Sequence, residues 1–309
     1  MNLRQAQCRE YRAYPLGYYH LSTDGWADGK LFHTPEQYAF GVASIALTTI
    51  KFKVRVFAYE LMPNHIHLIL GGTGQQCMDC FHFIVQRIKK RLKQDGYPPL
   101  PDDYWMKLVP VEDKESLRRH ITYLARNKYE KGDCTPCGHL WGTGYLLYNQ
   151  FAEHIQGEKV KNMQVRKVER LVGSRIPLPP DWEIHPVLGI LPKCFVQWEK
   201  SQSQFSGVKD FMTALVKDYE AYVNVSESLG EEVEWSAEEA KDILWHLCHQ
   251  LFPQKNLYSL SGDEKCRLAV KAVETYHLTT PQLSSVLNLP EIIIKQALNS
   301  KDYGIRKKW

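Results

Sequence analysis

Histidines 65 and 67 flank one apolar residue in the run Met62-Pro63-Asn64-His65-Ile66-His67-Leu68-Ile69-Leu70. Side chains of a strand alternate between faces, so both imidazoles share one face and Ile66 takes the other. Two imidazoles on one face can hold a divalent metal ion between them. An ordinary half-solvated sheet face shows the same pair, so the histidines alone leave both readings open.

A second segment, about 55 residues later, narrows them. Arg118 to Gly132 reads as a helix, because Leu117, Ile121, Leu124 and Ala125 recur as one apolar stripe and Gly132 supplies a stop. Tyr123 and Asn127 are four apart, hence roughly 40° from each other around the axis. They fall off the core stripe, toward a flank. Taken alone, Tyr123 reads as a boundary aromatic and Asn127 as a polar residue near a helix end.

Together the two segments resemble the single-tyrosine HUH transposases, most closely the REP-associated tyrosine transposases. Met62-Pro63-Asn64-His65-Ile66-His67-Leu68 matches the family's histidine strand. Tyr123-Leu124-Ala125-Arg126-Asn127-Lys128-Tyr129-Glu130-Lys131-Gly132 keeps the spacing of its tyrosine, asparagine and glycine, with Lys128 where the family has proline. The resemblance covers about residues 15–150. It implies that His65 and His67 ligate Mg²⁺ or Mn²⁺ and that Asn127 adds a third protein ligand. It also implies that Tyr123 attacks a phosphodiester of single-stranded DNA near a hairpin. A 5′-phosphotyrosine forms, a 3′-hydroxyl leaves, and the covalent bond allows later strand joining. Phenol has a pKa near 10 and is a weak nucleophile at neutral pH, so a metal that polarises the phosphoryl group suits this chemistry. A non-catalytic DNA-binding protein or regulator of the same fold is the alternative. A replication or conjugation nickase with the same metal motif is a related one.

Length and charge are compatible with this. The chain has 309 residues, room for two domains, with 44% hydrophobic residues and a net charge of +4. That mild excess permits nucleic-acid binding without demanding it. No apolar run approaches a membrane span, and Met1 to Tyr19 lacks a signal-peptide core, so the expected location is the cytoplasm. The chain is expected to act as a monomer or homodimer. Arg87, Lys89, Lys90, Arg91 and Lys93 form a basic cluster on a helix whose apolar stripe is Val85, Ile88 and Leu92. With Arg126 and Lys295, Arg87, Lys89, Lys90 and Arg91 are the candidate DNA contacts. The competing reading of the cluster is a solvated face.

Two C-x-x-C pairs, Cys77/Cys80 and Cys134/Cys137, have the arithmetic of a Cys₄ zinc site. Their separation exceeds the usual ribbon spacing, so reduced, partly buried thiols are the expectation, with a zinc-stabilised structural protein as the rival.

These residues need elements to carry them. The chain reads as strand Tyr18–Thr23, a helix from Thr34-Pro35 to about Ile50, and strand Lys53–Leu61 with Val54, Val56 and Ala58 alternating. Strand His65–Leu70, helix Met78–Gln94, strand Met106–Val111 and helix Glu115–Tyr129 follow. The order β-α-β-β-α-β-α gives an α+β fold with a ferredoxin-like antiparallel sheet, the HUH nuclease domain of the resemblance, then a mostly helical C-terminal region. The expected domains are 1–150 (catalytic), 151–235 (connecting) and 236–309 (helical). In the last, Thr280 to Leu298 resembles a helix-turn-helix, with Asn288 in place of the usual turn glycine and Glu291, Ile292, Lys295 and Gln296 exposed.

Overall fold

β1 (Gly17–Thr23), β2 (Arg55–Leu61), β3 (Ile66–Gly72) and β4 (Met106–Val111) form a sheet in the order β2-β3-β1-β4 with antiparallel neighbours. The computed structural model in which they are seen describes residues 3–27, 29–130, 138–144 and 154–300. Gly132, Cys134 and Cys137 lie outside them. Alternation gives the sheet two chemically different faces. Tyr19, Leu21, Ile66, Leu68, Leu70, Met106 and Leu108 point to an apolar side, where α2 (Pro35–Lys51) and α3 (Gly74–Gln94) close the main core. Each such aliphatic side chain contributes roughly 1.5–3 kcal/mol on burial. The other face carries His20 and Ser22, with Ser22 opposite His67 and Glu60 also opposite His67 across their two ladders.

β2 corrects one expectation. Its register shifts between Val56 and Ala58, so the bulge moves Ala58 off the face that Val56 shares with Tyr59 and Leu61. The outer edge of β2 is covered rather than open. Leu61 N donates to Trp141 O, Tyr59 N to Thr143 Oγ1, and Gln197 N to Val56 O. Covering an edge in this way removes a template for unwanted strand pairing.

The helices begin where their caps dictate. Thr34 caps α2, with Pro35 in the first turn. Thr73 and Gln76 make a reciprocal capping box, so α3 starts at Gly74, a turn before the expected Met78. An unassigned helix, α1 (Leu3–Ala13), precedes β1 and packs on α3. Gly74 permits that approach, because a Cβ there would collide with Tyr11 O. α4 (Lys114–Glu130) lies on the opposite, histidine-bearing side of the sheet.

The chain divides into two compact units, residues 1–216 and 217–309. The connector expected over 151–235 is divided between them, its residues 154–216 belonging with the first and 217–235 with the second. The former contribute a small sheet of β5 (Glu158–Lys159), β6 (Glu183–His185) and β7 (Gly189–Ile190), then α5 (Val165–Val172), α6 (Trp198–Gln202) and α7 (Val208–Lys217). In the second unit α8 (Tyr219–Leu229), α9 (Ala237–Leu251), α10 (Gly262–Tyr276), α11 (Thr280–Leu287) and α12 (Glu291–Asn299) form a helical cluster. Asn288 joins α11 to α12 in the left-handed region at φ 51°, which asparagine tolerates and most residues do not. Ser284 Oγ closes the turn on Leu289 O, while Leu283, Leu287 and Ile294 are buried.

Candidate functional site

His65 directly precedes β3, and Met62 N donates to its carbonyl, which makes Pro63-Asn64 the tip of a tight β2–β3 connection. This turn sets the phase of β3, placing His65 and His67 on one face, their rings 4.8 Å apart. α4 crosses that face. It brings His120, Tyr123 and Asn127 toward the sheet, all three buried. These positions, at i, i+3 and i+7, are a helical stripe of their own.

Asn127, His67, His20 and His120 meet in a hydrogen-bonded file, with the Asn64–His65 pair beside it. Asn64 Oδ1 lies 2.8 Å from His65 Nδ1. Asn127 Nδ2 lies 3.1 Å from His67 Nε2, and His67 Nδ1 is 3.1 Å from His20 Nε2. His20 Nδ1 is 2.7 Å from His120 Nδ1. The Tyr123 ring stands 5.8 Å from His67 and 6.0 Å from His20. Burial drives the His20 pKa well below its ordinary value, with the neighbouring His120 and His67 adding to the effect. Burial, reinforced by Arg119, lowers that of His120 to about 4. Both rings are therefore neutral at physiological pH.

The partners decide which nitrogen carries each proton. Asn64 Oδ1 can only accept, so His65 donates from Nδ1 and its lone pair is on Nε2. With Asn127 donating to Nε2 of His67, that ring also carries its proton on Nδ1. Metal-ligating histidines commonly have this arrangement, one nitrogen bonded to a second group and the other turned to the ion. The Asn127 amide lies 3.1 Å from His67 Nε2, and its oxygen is a ligand type that a hard divalent cation accepts beside imidazole nitrogen. Among the described residues no three His, Cys, Asp or Glu side chains form a group able to hold an ion. A cation here would rely on His65, His67, the Asn127 amide and outside oxygens.

Tyr123 departs from its expected flank position. It is only 2% exposed, because α4 is covered on both sides. Along its outer side runs the stretch 204–215. Arg118 donates to both carboxylate oxygens of Asp210 and stacks on Phe205, and Arg126 donates to Leu215 O at 2.6 Å. Arg126, a candidate DNA contact, is 1% exposed and inaccessible to a phosphate in this conformation.

The other basic candidates also find different places. Arg87 bonds Ser44 Oγ and the carbonyls of Val172 and Gly173 and lies over Phe40, joining α2, α3 and the end of α5. Burial lowers its pKa to about 10. Arg91 pairs with Asp95 at 2.7 Å. Lys89 is half-buried and Lys90 exposed, but α3 packs on the apolar face of the sheet, across it from the histidines. Lys295 pairs with Glu291 beside the exposed Ile292 and Ile293, an apolar and nearly neutral surface for a recognition helix.

Cys77 and Cys80 lie on the first turns of α3 and face the core, and burial pushes the Cys80 thiol up to about 12 and Cys77 higher still. That environment disfavours the thiolate that zinc requires.

His20, His120 and Glu60 were not singled out in the sequence. His120 carried a signal, since it extends the Tyr123–Asn127 stripe by one turn. His20 and Glu60 are unremarked polar residues in strands, and only sheet register assembles them beside His67. Glu60 is 2% exposed, 3.6 Å from His139, and packs so closely on Gly142 that any Cβ at 142 would strike its carboxylate.

No helix among the described residues is long and apolar enough to cross a membrane. No family model matches the chain, and no curated protein matches it. A solved structure described as the REP associates tyrosine transposase bound to a REP hairpin is 16% identical, covering 45% of this chain and 84% of that one, with a TM-score of 0.37. At that score the likeness is distant and decides nothing about the chemistry of this chain.

Proposed function

We propose that the first unit is a metal-dependent single-stranded DNA endonuclease and strand transferase with Tyr123 as nucleophile. The observation that carries this reading is the buried constellation itself. His65 is held at Nδ1 by Asn64 and His67 at Nδ1 by His20, and Asn127 is seated against His67 Nε2. A divalent cation held by His65, His67 and Asn127 would polarise the scissile phosphate.

The protein's own part is positional and covalent. Tyr123 Oη bonds to phosphorus, the bond from phosphorus to the 3′ oxygen breaks, and that oxygen takes up a proton as the phenol gives one up. The burial of His20 and His120 keeps the surroundings of Tyr123 neutral and dry, which strengthens electrostatic interactions there. The resemblance in the two motifs adds the substrate: single-stranded DNA beside a hairpin.

One observation favours the second reading, a non-catalytic DNA-binding protein. Tyr123 is buried at 2% exposure, so a DNA strand reaches it only after α4 or its cover moves. A denaturing-gel assay separates the two. The protein and its Tyr123→Phe variant are incubated with labelled hairpin oligonucleotides carrying single-stranded flanks, with Mg²⁺, Mn²⁺ or EDTA. A metal-dependent covalent adduct with the native protein alone supports the proposal. Tight binding without an adduct across a varied oligonucleotide pool supports the second reading.

A further inference from the structure

His20 and His120 come from elements one hundred residues apart, yet their Nδ1 atoms lie 2.7 Å apart in the interior. Neither belongs to the His65, His67, Tyr123 and Asn127 set. The cost of burying imidazoles is offset only if their polar atoms are paired, and these are paired to each other in a line that ends on His67.

Such a line of neutral rings has two proton orders. In one, His67 Nδ1–H donates to His20 Nε2, His20 Nδ1–H donates to His120 Nδ1, and His120 carries its proton on Nε2. In the other, every proton is shifted by one ring position, and His67 Nε2–H donates toward Asn127. The first leaves a lone pair on His67 Nε2, and the second blocks it. Asn127 meets Nε2 with its amide NH₂, which needs that lone pair, so the first order is the one the contacts satisfy.

We infer that His20 and His120 are positioning residues that fix His67 in the tautomer with its proton on Nδ1, readying Nε2 for a cation before one arrives. The inference deepens the metal-site reading and rests on it for its purpose, but the proton order is a property of the protein alone. His65 is the internal reference, since Asn64 fixes its tautomer independently.

The test uses the full chain with ¹⁵N-labelled histidine. Side-chain nitrogen shifts report tautomers in the metal-free protein, and Mn²⁺ binding is followed by electron paramagnetic resonance. The expected result is a proton on Nδ1 of both His65 and His67. His120→Phe, which removes the acceptor for His20 Nδ1–H, moves His67 toward a tautomer mixture and weakens Mn²⁺ binding about 10- to 100-fold. His65 keeps its tautomer, which shows that the fold is retained. His120→Asn, whose amide oxygen can replace Nδ1 as acceptor, restores both readouts.

A proton on His67 Nε2 in the metal-free native protein overturns the inference, whatever the variants do. So does a folded His120→Phe protein with unchanged His67 tautomer and Mn²⁺ affinity, or failure of His120→Asn to restore them. If the tautomers behave as stated but the native protein binds no Mn²⁺, the positioning role stands and the metal reading fails.

Discussion

Arg118 grips Asp210 with both terminal nitrogens, at 2.8 and 2.7 Å, and so fastens the helix that carries Tyr123 to the segment running along its outer side. A two-point contact of planar groups fixes orientation as well as distance. Asp210→Ala is expected to loosen this cover. Hydrogen exchange over residues 117–127 should rise several-fold, and phosphotyrosine formation should speed up if opening limits it. Unchanged exchange in that stretch would mean that the apolar contacts of Phe205 and Phe211 hold the cover unaided.

Arg126 and Lys90 provide a contrast between two arginine-and-lysine roles. Arg126 is buried and donates to Leu215 O, so Arg126→Ala strands a buried carbonyl and opens a cavity, costing about 3 kcal/mol. Lys90→Ala on the exposed side of α3 should change stability by no more than about 0.5 kcal/mol. Urea titrations measure both. If Lys90 contacts phosphate, its loss also lowers the salt dependence of DNA binding by about one counterion.

Acid should destabilise the first unit through its histidines. His120 has a folded-state pKa of about 4, below its ordinary 6.5, and His20 is lowered as well. Between those values the unfolded chain binds protons that the folded one excludes, so stability falls as pH drops from about 6.5 toward 4. For His120 the full effect is on the order of 3 kcal/mol. Chemical denaturation at pH 7.5 and 4.5 measures it, and His120→Asn should flatten the difference. An identical pH dependence in that variant would assign the effect to other groups.

In the second unit, Asn288 at φ 51° is the hinge of the α11–α12 turn. Asn288→Gly should be nearly neutral, whereas Asn288→Val should cost about 1–2 kcal/mol, since a β-branched side chain is poorly accommodated there. Thermal unfolding of the two variants gives the comparison. Equal melting temperatures would show that the turn relaxes to another conformation at little cost.

What could be read in the sequence was local. Thr34-Pro35, the His65–His67 alternation and the β-α-β-β-α-β-α order are nearest-neighbour signals, and the observed elements agree with them to within a few residues. The Asn288 turn was legible for the same reason. What escaped was set by partners distant in sequence. One apolar stripe on α4 suggested a single buried side, but the stretch 204–215 buries the other, which is why Tyr123 and Arg126 are inside. The basic appearance of α3 said nothing about which sheet face it would cover. Strands of two or three residues, such as β5 and β7, are too short to show a period, so the first unit looked as if it ended near residue 150.

The Pro63-Asn64 turn has a consequence for how this protein tolerates insertions. It acts as the address of β3, because the count of residues from Met62 decides which side chains reach which compartment. One extra residue there, with the turn kept tight and β3 slid by one position against its neighbours, would exchange His67 for a leucine or isoleucine neighbour and drive an imidazole into the apolar layer beneath α2 and α3. The chain would lose its polar file and its core together. An insertion in this unit is therefore better placed in its other loops, because both halves of the sheet depend on the count of these two turn residues.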